Sequence, residues 1–408
     1  MQKKYKPELL APAGDMEKLK YAVAYGADAV YLAGKEFGMR TASGNFDDAA
    51  LKTAVDFAHE KGVKVYVTLN TVVKSEEAER LTDFIKYIDR IKTDAVIVTD
   101  LGVFGMVKKL APNLDIHIST QANTVSYQSA SMWHSMGAKR VVLARELNLT
   151  EIKIIRDNTP QELEIECFVH GAMCVSHSGR CLLSNYLSGR DANKGNCAQS
   201  CRWKYTLMEE TRAGQYMPVV ENDRGAFIFN SKDMNMIEHI SKLATAGIDS
   251  FKLEGRVKSA YYAAVVTGAY RHAIDDYING ESEVNPIYAE ELEKISHREY
   301  YTGFFFGDQK ENAQIYTSSS YIRTYEIVAV VNGYDAASGM CVCELKNQFG
   351  INDEIELLTP SGEVFAIKVN VLTNAKNEIL ERAIHPQMIF KMKTDKEYPP
   401  YSIIRKIK

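Results

Sequence analysis

Four of the seven cysteines, Cys174, Cys181, Cys197 and Cys201, stand in GAMCVSHSGRCLLSNYLSGRDANKGNCAQSCRWKY, with six, fifteen and three residues between successive thiols. Four soft donors in one segment can close a tetrahedral zinc site or hold a [4Fe-4S] cluster. The spacing favours iron, because structural zinc sites commonly use two tight ligand pairs and only the second pair here is tight. Buried or redox-active thiols are the remaining reading. Four thiolates concentrate negative charge that must be offset, and Arg180, Arg190, Lys194, Arg202 and Lys204 are interleaved with them. Gly171, Gly179, Gly189 and Gly195 allow tight turns that can aim backbone N–H groups at sulfur. Cys167, inside an apolar run, and Cys341 and Cys343, in a distant strand-like segment, are expected to be packing residues.

His170 lies four residues before the first of these cysteines and is expected to face the same space, where it could handle a proton or bind a ligand. His177, between two of the cysteines, is given no role. Other polar residues stand at the carboxyl ends of apolar runs: Asn70, Asp100, Ser119, Gln121, Arg145, Glu146, Glu254 and Arg256. Arg145, Arg256 and Arg40 can grip carboxylate or phosphate oxygens through paired N–H groups. Tyr31, Tyr261 and Tyr262 are candidates to stack a base, although such tyrosines more often pack. The candidate catalytic set is therefore His170, Glu254, Arg256 and Arg145.

The elements that must position these residues repeat one theme, a short apolar run followed by an amphipathic stretch. The runs are ELLAPAG, AVYLAG, KVYVTLNT, AVIVTD, DIHISTQ, RVVLARE, IECFVHG and SFKLEGR. Such runs, apolar throughout, suit parallel strands covered on both faces. Asp15 can cap a helix that ends at Gly26, and residues 47–61, 76–91 and 259–277 also read as helical. Eight units predict a TIM-like (β/α)8 barrel over 1–280, with polar strand ends converging on one mouth. A doubly wound open sheet is the alternative. Residues 172–249 form a long Cys-rich insertion, in which WKYTLMEE and AFIFNSKDM look like extra strands, the second followed by a helix near 234–246; either could displace the eighth run. A connector over 281–320 leads to 321–408, whose alternating strands and turns predict a small C-terminal antiparallel β-barrel domain.

Over 408 residues, hydrophobic residues at 46% and charged residues at 25% provide for one large core and a smaller one. A formal charge of -4 argues against a surface coated in basic residues for non-specific nucleic-acid binding, so a nucleic-acid partner needs a local basic face. The first residues lack the apolar stretch of a secretory signal, and no later run is long enough to span a bilayer, so a cytoplasmic protein with no membrane partner is expected.

The segment ELEIECFVHGAMCVSHSGRC resembles the signature of the family historically named peptidase U32. The likeness extends to ELLAPAG, YGADAVYLAG, SGRDANKGNCAQSCRWKY, NSKDM and SFKLEGRVKSAYYAAVV, and the last ninety residues are similar to that family's C-terminal domain. Within it, the chain resembles the branch implicated in prephenate-dependent formation of 5-hydroxyuridine at the tRNA wobble position. That resemblance implies a [4Fe-4S] cluster on Cys174, Cys181, Cys197 and Cys201, tRNA as partner, prephenate as a small dicarboxylate co-substrate, and a paralogous protein partner as a further possibility. It also implies hydroxylation without molecular oxygen. A collagenase-like peptidase is the alternative that the family name records, but neither HExxH nor GxSxG is present. A third reading is a non-catalytic RNA-binding or assembly protein that uses the C-terminal domain, whose basic SIIRKIK could serve RNA or merely protect a strand edge.

Overall fold

The computed structural model describes residues 6–174, 176–203, 221–222, 225–226, 231–307 and 321–408. Eight strands form the first sheet's ring: β1 Glu8–Pro12, β2 Ala29–Leu32, β3 Lys64–Leu69, β4 Ala95–Val98, β5 Asp115–Ile118, β6 Arg140–Val142, β7 Glu164–Ala172 and β8 Ser250–Leu253. Neighbours pair in parallel from β1 round to β7, and β8 pairs with both β7 and β1 to close the barrel. The closed ring decides against the open sheet. All eight apolar runs became its strands.

Side-chain alternation explains why the runs are apolar on both faces. Leu10, Ala29, Tyr31, Tyr66, Ala95 and Ile97 point inward as a separate interior cluster. Their neighbours Leu9, Val30, Val65, Val67, Val96 and Val98 join the outer core beneath the helices. Those helices begin with α1 Met16–Ala24, capped by the Asp15 carboxylate accepting from Lys18 N–H at 2.9 Å, and include α2 Asp48–Glu60 and α3 Ala78–Arg90. Below the mouth the interior is charged. Arg140 reaches Glu8 at 2.6 Å, Glu164 at 2.6 Å and Glu166 at 2.9 Å, and Lys252 Nζ donates to Glu166 at 2.6 Å. Each charge in this buried chain has a partner, which is the condition for tolerating it in a low-dielectric interior.

The insertion does not displace the eighth strand. The described part of AFIFNSKDM places Asp233–Asn235 in a short strand antiparallel to the end of β7, and Tyr300–Tyr301 pairs beside it. The helix expected near 234–246 is shorter, Ile240–Thr245. Of WKYTLMEE only Trp203 lies within the described residues. The long helix after β8 runs Ala260–Asn279 and ends at Gly280, with φ of 102°.

Beyond residue 321 the expected antiparallel β domain is present. Its strands are β9 Tyr325–Asp335, β10 Met340–Leu345, β11 Glu354–Leu358, β12 Val364–Lys368, β13 Leu372–Asn374, β14 Ile389–Lys393 and β15 Ile403–Ile407. Cys341 and Cys343 are buried in its core, and Cys167 in that of the barrel, as expected of packing residues. The SIIRKIK segment requires a correction. β15 is paired on both sides, by β9 and β11, so it is no edge. Arg405 is fully buried between Glu291 at 2.6 Å and Glu356 at 2.7 Å, where it ties the domain to the barrel.

Candidate functional site

The barrel mouth opens into a cavity whose wall comes from strand ends and whose roof is the cysteine segment. Tyr31, Asn70, Ser119, Gln121, Arg145, Glu146, Phe168, Lys252, Glu254 and Arg256 line the wall. All four cysteines of the motif, Cys174, Cys181, Cys197 and Cys201, line the same cavity. Convergence at the carboxyl ends is what a parallel barrel imposes on residues that follow its strands.

Glu254 organises the wall. Its carboxylate accepts from Arg40 Nε at 3.1 Å and from the Tyr31 hydroxyl at 3.3 Å. Burial pushes this carboxyl up, but Arg40, Arg145 and Arg256 together outweigh it and hold the group down at about 2. Arg40 sits at φ 68°, a left-handed conformation that turns its side chain back over the mouth. Gly171, at φ 107°, is required where β7 passes β8, because a Cβ there would stand 2.6 Å from the Glu254 carbonyl oxygen.

Arg145 and Arg256 are placed differently from Arg40. Arg145 donates to the Ala172 carbonyl at 2.9 Å, with its guanidinium 3.9 Å from the Phe168 ring centroid. Arg256 donates to the Met39 carbonyl. Burial pulls its guanidinium down to about 10, against the opposing influence of Tyr31 and Glu254. Arg145 Nε and Arg256 Nη1 are buried and, among the described residues, have no hydrogen-bond partner. Two such donors in a cavity wall mark a place where an anion's oxygens can bind, because an unmatched buried donor is costly.

The roof is tied to several βα loops. Glu146 accepts from the Ser178 N–H at 2.6 Å and its hydroxyl at 2.7 Å, while Arg180 Nε donates to the Gln121 carbonyl at 2.8 Å. Thr41 N–H donates to Gly195 at 3.3 Å, Val72 N–H to Asn193 at 3.1 Å, and Lys194 pairs with Glu77. The basic residues expected to neutralise sulfur thus act partly as ties. Arg190 and Arg202 donate to the Cys197 and Met173 carbonyls at 3.3 Å and 3.0 Å, and Lys204 lies outside the described residues. One amide does reach sulfur, Gln199 N–H to Cys197 Sγ at 3.3 Å.

The donor chemistry of the roof fits a metal cluster. Burial pushes the Cys201 thiol up to about 11, Arg202 opposes the rise, and Cys174, Cys197 and Cys181 add to it. A thiol held up in this way forms a thiolate more readily beside a cation, such as a bound metal supplies. Among the described residues, no three His, Cys, Asp or Glu side chains are grouped to hold a single metal ion. Four thiols line the one cavity, a donor set of the number and kind that a zinc ion or a [4Fe-4S] cluster takes.

His170 requires a correction. Its ring is completely buried and does not line the cavity. The register of β7 slips by one residue, Phe168 opposing Lys252 but His170 opposing Leu253, so Val169 is extra and His170 turns outward with Leu253. There it packs against Tyr262, Tyr270 and Tyr300, with centroids 6.0, 5.5 and 5.5 Å away. Burial lowers its pKa to about 3, so it is neutral. Tyr261 and Tyr262 are likewise buried packing residues outside the cavity. Asp100 accepts from Gly102 and Val103 N–H groups at a helix start and does not line the cavity either.

Lys252 is a cavity residue that the sequence reading missed. The signal was available, because Lys252, Glu254 and Arg256 alternate and alternate residues of a strand share a face. Asn193, whose side chain bonds both the N–H and the carbonyl of Cys181 at 3.2 and 3.0 Å, carried no such signal within a loop.

Comparison with known proteins follows this geometry. Residues 14–315 match Peptidase family U32, and residues 323–405 match the Peptidase family U32 C-terminal domain. The tRNA hydroxylation protein P1 of Bacillus subtilis is 38% identical over 98% of this chain and 95% of its own length. The 23S rRNA 5-hydroxycytidine C2501 synthase of Escherichia coli is 35% identical over 77% of this chain and 47% of its own. The collagenase of Porphyromonas gingivalis is 32% identical over 94% and 93%. With both its barrel and its β domain matched, the chain belongs to peptidase family U32.

Proposed function

We propose that this protein is an RNA-modifying enzyme that hydroxylates the wobble uridine of tRNA to 5-hydroxyuridine without molecular oxygen, using prephenate or a similar small dicarboxylate as co-substrate. Two similar relatives bear RNA-hydroxylation names, which supports the reaction class. The observation that carries the reading is one cavity walled by two arginines with unmatched N–H groups and roofed by four cysteines.

Arg145 and Arg256 spend hydrogen bonds on carbonyls, and with Arg40 they set three guanidinium groups against the single Glu254 carboxylate, which leaves positive charge for an anionic ligand. Two guanidinium groups suit two carboxylates. Tyr31 and Phe168 give the cavity apolar surface, and Lys252 lies 4.6 Å from the Tyr31 centroid at its floor. Glu254 fixes Arg40 and remains ionised. An anticodon loop suits such a mouth because its bases are unpaired and can turn into a pocket without melting a duplex.

Replacing C5–H by C5–OH removes two electrons from the uracil ring; with the co-substrate as hydroxyl donor, its C–O bond breaks as the C5–O bond forms, and the two electrons and the C5 proton end on the donor carbon as a new C–H bond. A [4Fe-4S] cluster on Cys174, Cys181, Cys197 and Cys201 would supply one-electron transfer at the cavity roof. The peptidase reading has a relative's name behind it. Among the described residues, however, the cavity lining contains no histidine to activate its hydroxyls or thiols as nucleophiles. Deleting the gene and analysing tRNA nucleosides by mass spectrometry tests the proposal. Loss of 5-hydroxyuridine and its derivatives, restored by the wild-type gene, is expected; unchanged tRNA contradicts it.

A further inference from the structure

The roof carries a short helix, Leu183–Ser188, with two unlike sides. Leu183 and Ser184 line the cavity. Leu182 and Tyr186, one turn apart, point away and are 75% and 88% exposed. A tyrosine ring left almost wholly in water has no packing role here, and its place beside the cavity makes it a rim residue.

The charge around this pair is one-sided. Arg180 and Arg190 flank the helix, both are exposed, and both donate to neutral groups: the Gln121 carbonyl for one, the Asn196 side chain and Cys197 carbonyl for the other. The neighbouring acid, Asp191, is engaged by the Asn193 N–H at 2.9 Å. An exposed aromatic ring flanked by two guanidinium groups, which outnumber the one neighbouring acid, complements a strand that offers phosphate charge and flat bases together.

We infer that Tyr186, with Leu182 beneath it and Arg180 and Arg190 beside it, is a stacking platform for an unpaired nucleotide flanking the one in the cavity. This surface rests on the RNA reading above and adds to it a named contact and a preference for single-stranded loops. A continuous duplex cannot present a base face to the ring, so the platform selects loops over stems.

The test uses full-length protein purified without oxygen. Fluorescence anisotropy compares a labelled anticodon stem-loop RNA with a fully paired RNA of equal length. Tyr186→Ala is expected to weaken stem-loop binding by about tenfold, the scale of one lost base-stacking contact. Binding of the paired RNA should not change, and Tyr186→Phe should behave as wild type. Unchanged iron content and melting midpoint in the variants establish that the roof is intact. Equal stem-loop affinity for Tyr186→Ala and wild type overturns the platform, as does an equal loss for both RNAs or a change only in self-association. Nucleoside analysis separates the two ideas. Normal 5-hydroxyuridine formation with normal stem-loop binding by Tyr186→Ala removes the platform alone. A selective binding defect with no hydroxylation even by wild type keeps the platform and removes the reaction.

Discussion

The wall and the roof of the cavity are built on opposite principles. The wall is held by the barrel: Lys252, Glu254 and Arg256 are each less than a tenth exposed, and the charges below them form the continuous chain Lys252, Glu166, Arg140 and Glu8. The roof has little core of its own. Cys174 and Cys197 are exposed, and its ties are mainly single hydrogen bonds to loops. A wall of this kind is preorganised to bind an anion, whereas in the proposed reading the roof would draw order from the cluster on its thiols.

The largest expected effect breaks the roof and spares the wall. Cys174→Ser or Cys197→Ser should abolish hydroxylation and deplete iron, while prephenate affinity measured by calorimetry changes little. Equal loss of iron and prephenate binding would merge the two regions into one cooperative unit. Next, Glu166→Ala strands Lys252 and part of Arg140 without a counter-charge in the interior. It should cost about 3–5 kcal/mol of stability, read from denaturant unfolding, the usual penalty for breaking a buried pair. Arg145→Gln removes a charged donor from the wall and should weaken prephenate binding by about 1.5–3 kcal/mol, with iron content retained.

The smallest effect concerns His170. His170→Phe should leave the turnover rate within about threefold, because the ring does not reach the cavity. Its folded pKa, about 3, lies below the unfolded value near 6.5, so the unfolded chain takes up the proton first as pH falls. The wild type should therefore lose stability as pH falls from about 6.5 toward 3, at a limiting rate of about 1.4 kcal/mol per unit from this group. Melting curves of His170→Phe should show a flatter dependence across that window. An identical dependence would mean that the ring is charged in the folded protein.

Much of the barrel was legible because its strands are buried on both faces and read as unbroken apolar runs. The wall followed from strand ends: Asn70, Ser119, Gln121, Arg145, Glu146, Glu254 and Arg256 were named from position and do line one cavity. His170 was misplaced because a single extra residue at Val169 reverses facing, and the sequence carries no mark of that slip. Lys252 was overlooked although two-residue alternation pointed to it. The role of β15 was hidden for another reason: whether a basic strand is central or at an edge depends on pairing order, which local pattern does not encode. The ties of Asn193, Glu77 and Ser178 join residues distant in sequence and were equally beyond local reading.

One experiment bears on the whole account. Protein purified without oxygen, analysed for iron and sulfide, is incubated in an oxygen-free chamber with tRNA lacking the modification and prephenate, and the nucleosides are examined by mass spectrometry. The account predicts about four irons and four sulfides per chain and a uridine heavier by one oxygen atom at the wobble position, absent with Cys174→Ser. Colourless protein without iron or sulfide that still oxidises the uridine would contradict it.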